Sequence, residues 1–274
     1  MSLELNPYRP VETKVLQVIE ETPTIRTFRL RPEEPLVFRP GQFIEMSLPG
    51  VGEAPFTPSS HWQREEELEV TVMRVGRVTE GLHRLKGGEV VGLRGPFGRG
   101  YPLDEFRGRQ VVVVGGGCGF APLRSLMYAL FDMSSELEKL IFRGGCRSPS
   151  ELLYRNEIES WSQRPDLDLR LTVDRGDETW KGPVGVVTTI LDNLDVNLER
   201  AVAVVCGPPI MMKHTTRKLL NLGFKEESIW LSMEKNMSCG FGKCGHCRLG
   251  TYYCCVDGPV FRYSDIRDFD GLWD

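Results

Sequence analysis

Near its carboxyl end the chain reads Cys239-Gly-Phe-Gly-Lys-Cys244-Gly-His-Cys247, and Cys255 follows in Cys-Val-Asp-Gly-Pro. No other stretch restricts the possible folds so tightly. Cysteines separated by four and then two residues, with a fourth further on, have the spacing of plant-type [2Fe–2S] ligation and mark an electron carrier. Gly240, Gly242 and Gly245 lie between the thiols, where the backbone must turn around a compact inorganic core and aim amides at its sulfurs. Four thiolates also suit a structural zinc ion. Zinc ribbons, however, use paired Cys-x-x-Cys knuckles, whereas here the first gap is four residues and the last ligand stands alone. The spacing predicts a cluster, with zinc as the competing reading. Cys254 directly precedes Cys255, and neighbouring side chains of an extended segment point opposite ways, so only one of them can face the metal. The expected ligands are Cys239, Cys244, Cys247 and Cys255.

With 274 residues the chain can build two domains of ordinary size plus an appendage. Thirty-four basic against 38 acidic residues give a net charge of −4 with the basic ones scattered, which leaves no footprint for nucleic acid. The longest apolar runs, Val111–Val114 and Ala201–Cys206, are too short to cross a bilayer, and the polar start Met1–Pro10 lacks the apolar core of a signal peptide. A cytoplasmic protein without a membrane span is expected. Of eight cysteines, four belong to the motif while Cys118, Cys146 and Cys206 sit alone among glycines, a usage that fits reduced surroundings.

Residues 1–106 read as short strands with turn punctuation: Lys14–Val18, Ile25–Leu30, Gln42–Leu48, Leu68–Arg74 and Val90–Leu93, interrupted by a helix at Thr79–Leu85. That predicts a small antiparallel β-barrel. From 107 to 232, strands at Val111–Val114, Leu140–Phe142, Leu169–Val173 and Ala201–Val205 alternate with helices at Pro122–Phe131, Leu152–Trp161, Val187–Leu194 and Met211–Leu222, with Ile229–Leu231 as an edge strand. This is the pattern of a parallel α/β sheet. Residues 233–274 form the cysteine-rich module, and the three are expected to pack closely, since no low-complexity linker separates them.

Val111-Val-Val-Val-Gly115-Gly116-Gly117-Cys118-Gly119-Phe-Ala-Pro122 runs from a buried strand through a glycine turn into a helix, offering backbone amides where a pyrophosphate could sit. The next strand ends Phe142-Arg143-Gly144-Gly145-Cys146-Arg147 without the acidic residue of the regular dinucleotide fingerprint, so a different nucleotide geometry is expected. A second glycine turn, Cys206-Gly207-Pro208-Pro209, follows another buried strand at its carboxyl end, where open α/β sheets bind ligands. Cys206 is either a small buried hydrophobe ending a valine-rich strand or, given the Gly-Pro-Pro that follows, a ligand contact rather than a nucleophile, and Met211 and Met212 read as core. His246 reads as an outer or surface residue, because a Rieske centre needs two histidines. Arg124 and Arg147 are either nucleotide contacts or solvated charges.

The order Gly76-Arg-Val-Thr79, Gly95-Pro-Phe-Gly98, Gly115-Gly-Gly-Cys-Gly-Phe-Ala-Pro-Leu-Arg124, Gly145-Cys-Arg147-Ser-Pro149 and Cys206-Gly-Pro-Pro209 resembles the ferredoxin–NADP⁺ reductase superfamily over nearly the whole chain. With Gly52-Glu-Ala-Pro55, Val173-Asp-Arg-Gly-Asp-Glu-Thr-Trp180 and the cysteine motif, the sequence looks most like the gamma, NAD(P)H-linked subunits of cytoplasmic sulfhydrogenases. The B subunit of anaerobic sulfite reductase and the electron-transfer subunit of dihydroorotate dehydrogenase are similar relatives. The resemblance implies an FAD-binding barrel, an NAD(P)-binding domain and a [2Fe–2S] cluster. It places Pro55, Phe56 and Thr57 along the isoalloxazine and Arg74, Val75, Gly76 and Thr79 near the flavin phosphates. It sets Gly115, Gly116, Gly117, Cys118 and Gly119 under the nicotinamide nucleotide pyrophosphate, Arg147 at the adenosine end, and Cys206 with Gly207 and Pro208 at the nicotinamide. One departure stands out: the superfamily's Arg-x-Tyr-Ser/Thr flavin motif is replaced by Ala54-Pro55-Phe56-Thr57, which removes the arginine that clamps the pyrophosphate and leaves Arg74 or backbone amides to substitute.

A nicotinamide gives up two electrons together and a cluster takes one at a time, so a chain with both sites needs a flavin between them. The expected function is therefore electron transfer from NAD(P)H through FAD and the cluster to the catalytic and electron-transfer subunits of a redox complex, in either direction according to potential. A self-contained reductase serving soluble carriers, and a nucleotide-responsive module with structural zinc, are the rival readings.

Overall fold

A computed structural model describes residues 6–64 and 66–273; the first five residues of the polar start Met1–Pro10, and the last residue of the cysteine-rich module, lie outside the described residues. The amino-terminal strands are β1 (Val11–Thr22), β2 (Ile25–Pro32), β3 (Phe43–Leu48), β4 (Gly52–Phe56), β5 (Leu68–Met73) and β6 (Val90–Phe97). They pair antiparallel in the order β4-β3-β6-β1-β2-β5. A bridge between Pro58 and Val70 joins the two ends of that order and closes the sheet into a barrel. Alternation along the strands sends Val15, Phe28, Leu30, Ile44, Met46, Val70, Val72, Val91 and Leu93 into one core. Full burial of side chains of this size contributes about 1.5–3 kcal/mol each. The short helix α1 (Arg77–Leu82) adds Leu82 to the same core.

After α2 (Leu103–Phe106) come the strands β7 (Gln110–Gly116), β8 (Lys139–Cys146), β9 (Leu167–Val173), β10 (Ala201–Cys206) and β11 (Ile229–Ser232), with helices α3 (Phe120–Asp132), α4 (Arg155–Ser162) and α5 (Pro209–Asn221) between them. These five strands are parallel. Val111 and Val113 of β7 face one core while Val112 and Val114 face the other, which is why that strand is an unbroken valine run. The carboxyl-terminal residues add the hairpin β12 (Arg248–Leu249) and β13 (Tyr252–Tyr253), the strand β14 (Val260–Arg262) and the turn α6 (Tyr263–Ile266).

Several expectations need correcting. Ile229–Leu231 is not an edge, because β14 pairs antiparallel outside it and gives the order β14-β11-β10-β7-β8-β9. The helix expected at Val187–Leu194 is a single 3₁₀ turn, Val187–Ile190, in a segment whose run of β-branched residues disfavours a longer helix. The helix expected from Leu152 starts only at Arg155, since Tyr154 takes a left-handed conformation with φ of 52°. The cysteine-rich segment has no separate core: Cys239, Cys247, Cys254, Cys255, Phe261, Ile266 and Leu272 share one with Val112, Val205 and Leu231 of the parallel sheet and Phe43 of the barrel.

Candidate redox-cofactor site

From β7 the chain moves outward through β8 to β9, and then returns to place β10 and β11 on the other side of β7. The strand order therefore reverses between β7 and β10, and it is at such a reversal, at the carboxyl ends of the strands, that an open α/β sheet leaves a crevice. Both glycine turns lie there. Cys206 is in register with Gly115, and Gly116 with Gly145 of β8. The two turns touch: a Cβ on Gly119 would lie 2.5 Å from the Cys206 carbonyl oxygen, and one on Gly207 would lie 3.0 Å from the Gly116 oxygen and 2.7 Å from the Met211 sulfur. Gly117 has φ of +53°. The amino ends of α3 and α5 open at the same crevice, with Pro209 as the first residue of α5, so unpaired amides and the positive ends of two helix dipoles converge there. Only glycine leaves those amides uncovered. Met212 is core as expected, whereas Met211 borders the turns.

Burial pushes the Cys206 thiol up to about 12, so it is a neutral contact in the wall of the crevice. Burial likewise pushes Cys118 up to about 12, and its thiol faces the Met73 main chain at the end of β5. That contact brings the crevice against the barrel segment carrying Arg74, Val75, Gly76 and Thr79. There the Thr79 hydroxyl accepts the amides of Val75 and Gly76, both at 2.9 Å, and donates to the Gly76 carbonyl, which fixes the turn. Pro55, Phe56 and Thr57 form a half-buried strip at the end of β4. The two barrel segments adjoin, since a Cβ on Gly52 would meet the Val78 side chain at 3.1 Å. Arg74 and Arg147 are exposed. Arg147 follows the end of β8, where its carbonyl accepts the Arg175 amide at 2.9 Å.

In the cysteine loop Gly240, Gly242 and Gly245 have φ of 86°, 79° and 81°, conformations that other residues rarely adopt. The turns they make aim amides at sulfur: Gly242 donates to Cys255 Sγ at 3.1 Å, and Lys243 and Cys244 to Cys239 Sγ at 3.3 and 3.5 Å. Burial works to raise the Cys239 thiol, but the amides of Cys244, Phe241 and Lys243 outweigh it and bring it down to about 6. Cys255 is raised by burial and by the adjacent Cys247 thiol. Cys254 is fully buried, and burial, with the neighbouring Cys247, raises its thiol. The thiols thus stand as two neighbouring pairs, Cys239 with Cys244 and Cys247 with Cys255. Among the described residues no three potential ligands lie close enough to share a single metal ion. Amides aimed at sulfurs, glycine turns and an all-cysteine donor set fit an iron–sulfur cluster.

Two charged residues that sequence reasoning did not place, Glu45 and Arg94, and a third that it left between two readings, Arg124, turn out to be buried here. Glu45 of β3 is 1% exposed, and neither of its carboxylate oxygens has a hydrogen-bond partner. Burial, reinforced by Glu53 and opposed by Arg94, pushes it up to about 8. Arg94 of β6 reaches the main chain of Ser238 and Cys239. A lone arginine inside Val90-Val-Gly-Leu-Arg94 was the available signal. Arg124 is not a solvated charge: it is buried and pairs with Glu69 of the barrel and Glu157 of α4, each at 2.5 Å.

A closed antiparallel barrel, a parallel sheet with a glycine-lined crevice and a thiolate loop packed on both define a flavin- and nicotinamide-dependent oxidoreductase with an iron–sulfur module. Family profiles agree in chain order: an oxidoreductase FAD-binding domain matches residues 12–101, an oxidoreductase NAD-binding domain 113–217, and the iron–sulfur cluster binding domain of dihydroorotate dehydrogenase B 234–267. The last match decides between cluster and zinc. Sulfhydrogenase 1 subunit gamma of Pyrococcus furiosus is 37% identical over 98% of this chain and 96% of its own length. A probable dihydroorotate dehydrogenase B electron transfer subunit of Methanocaldococcus jannaschii is 33% identical over 95% and 94%. Among solved structures, one described as an NADH-dependent reduced ferredoxin-NADP oxidoreductase superposes with a TM-score of 0.77 at 28% identity, covering 95% of this chain and 91% of that one. The chain belongs to the ferredoxin–NADP⁺ reductase superfamily, in the family that holds the sulfhydrogenase gamma subunits and the electron transfer subunits of dihydroorotate dehydrogenase B.

Proposed function

We propose that this chain is the NAD(P)H-linked electron-transfer subunit of a hydrogenase- or sulfhydrogenase-type complex. The observation that carries this reading is the end-to-end likeness to sulfhydrogenase gamma subunits, at 37% and 34% identity over 98% of the chain. When bound, the flavin supplies the conversion between the two-electron chemistry of a nicotinamide and the one-electron chemistry of a cluster. Gly115–Gly119 hold the nucleotide pyrophosphate on their amides; Arg147 takes its adenosine end, and Cys206, Gly207 and Pro208 wall the nicotinamide. Pro55, Phe56 and Thr57 line the isoalloxazine, and Val75, Gly76 and Thr79 hold the flavin phosphates. Arg74, exposed at the end of β5, stands in for the absent clamp arginine. Cys239, Cys244, Cys247 and Cys255 would hold the cluster, which would supply one-electron transfer. The flavin part is residues 1–106, the nucleotide part 107–232 and the cluster part 233–274.

Electrons leave beside Lys243, Cys244, His246 and Arg248, all exposed on the cysteine loop, and this face meets the partner subunit inside the cytoplasm. The likeness of residues 234–267 to a dihydroorotate dehydrogenase B domain supports a second reading, with a dihydroorotate-oxidising partner. Anaerobic purification from the native source tests the choice. A yellow-brown complex with hydrogenase-type subunits is expected, whereas a chain that purifies alone and reduces soluble carriers, or one held by a dihydroorotate-oxidising subunit, overturns the proposal. No helix among the described residues is long and apolar enough to cross a membrane.

A further inference from the structure

Arg94 sits in the wall between the barrel and the cysteine loop, and every N–H of its guanidinium is used. Nε donates to Glu53 Oε2 at 3.0 Å, and Nη2 donates to the other Glu53 oxygen. Nη1 donates to the Cys239 carbonyl at 3.0 Å and to the Pro7 carbonyl at 2.7 Å, while Nη2 also reaches the Ser238 carbonyl at 3.5 Å. The side chain is 5% exposed. Its partners are far apart in sequence: Glu53 belongs to β4, two residues before Pro55, and Cys239 is the first thiolate of the loop. One planar group thus ties the strand proposed to line the flavin to the peptide of the first proposed cluster ligand. The same stretch of β6 supports the loop further along. The Phe97 ring fills the space where a Cβ on Gly240 would come within 2.6 Å, and the Arg99 amide donates to the Gly258 carbonyl at 2.5 Å.

We propose that Arg94 is a positioning residue that fixes the cluster relative to the flavin, by holding the main chain of Ser238 and Cys239 against β4 through Glu53. The inference rests on the cluster and flavin reading above. A purely structural arginine could satisfy its charge on Glu53 alone; three carbonyls from two other segments are the excess that points to the loop. Lysine cannot do this work, because a three-donor ammonium has no flat fork to hold Glu53 with two bonds while reaching carbonyls on its far side.

The test uses the full chain as purified with its cofactors, comparing wild type, Arg94→Met, Arg94→Lys and Glu53→Gln. Hydrogen exchange over residues 238–247, the electron paramagnetic resonance spectrum of the dithionite-reduced protein, and iron and flavin content are measured together. In Arg94→Met, exchange at 238–247 should rise at least about tenfold while β1 and β2 keep their protection, and the cluster spectrum should shift or broaden. Arg94→Lys should not restore the wild-type spectrum, and Glu53→Gln should loosen the same loop. Wild-type exchange and spectra in the substituted proteins overturn the proposal, and so does loosening spread evenly over the barrel. If Arg94→Met fails to fold, Arg94→Lys and Glu53→Gln decide by the same criteria. A wild-type protein without iron or a cluster spectrum sinks the cluster reading instead, and the exchange data alone then report whether Arg94 holds the loop.

Discussion

Cys254 and Cys255 are adjacent buried cysteines whose sulfurs differ in hydrogen bonding. Both are buried, but Cys255 Sγ takes the Gly242 amide from the loop at 3.1 Å, whereas Cys254 contributes its main-chain amide to the Cys247 carbonyl. Replacing Cys255 by serine should abolish the cluster absorbance and the bound iron. Cys254→Ser should retain both and lose only about 1–3 kcal/mol for a buried hydroxyl, read from a thermal melt with iron analysis. Loss of iron in the Cys254 variant alone would reverse the assignment. The glycines of the crevice also differ in what they tolerate. At Gly119 an added methyl meets the main chain of Cys206 and Gly207, which cannot rotate away, so Gly119→Ala should destabilise by about 1–3 kcal/mol and weaken NAD(P)H binding by roughly tenfold or more while FAD stays bound. At Gly117 the space is open and the cost is the φ of +53°, about 1 kcal/mol for alanine. Titration of flavin reduction by NAD(P)H in the two variants separates close approach from backbone conformation.

At the level of strands and helices, α1 is tied to the barrel by His83, which caps its end and whose Nε2 lies 2.9 Å from the Val72 carbonyl of β5. Burial lowers the His83 pKa from the ordinary value of 6.5, with Arg26 and Arg74 adding to the effect. The folded state therefore prefers neutral imidazole. Its contribution is complete above pH 6.5 and is lost as pH falls through 6.5 toward the lower folded value, with a limiting slope of about 1.4 kcal/mol per pH unit. His83→Gln should flatten the acid side of the stability curve measured by urea unfolding between pH 8 and pH 5; an unchanged slope would show that another group sets it. The strands that sequence reasoning found were those with dense valine and isoleucine, such as Val111–Val114 and Ala201–Val205, whose burial on both faces leaves no polar alternation to confuse them. The ones it missed have little local preference. Gly52-Glu-Ala-Pro-Phe56 is a strand because β3 pairs with it, and Val260–Arg262 because β11 does. The glycine turns and the cysteine loop were legible as motifs, because their chemistry dictates spacing. Arg94 and Glu53 were not: the pair joins residues 41 apart and a loop 145 residues further on, and no local pattern records a contact of that range.

Across the whole molecule, a largely buried charge network links the barrel to the half that carries the parallel sheet. Arg124 pairs with Glu69 and Glu157 and lies over the Tyr154 ring at 4.5 Å, while the Tyr154 hydroxyl reaches Thr71 of β5. Arg124→Met leaves two carboxylates facing each other without their cation, so a loss of about 3–5 kcal/mol is expected. Adding Glu69→Gln and Glu157→Gln should recover much of it, and a chemical-denaturation series measures both steps. A loss under about 1 kcal/mol would mean that the network is solvated in solution. The strand β14 carries a different implication, one of timing. A chain emerging from the ribosome amino end first has its barrel and five parallel strands available before residues 233–274 exist, and until then β11 is a bare rim with Ile229 and Leu231 unprotected. The segment that follows β11 covers that rim and lays the cysteines against a surface formed by Phe43, Phe97 and Arg94. A product truncated at the end of β11 should therefore expose an unpaired sheet edge and aggregate more readily than the full chain.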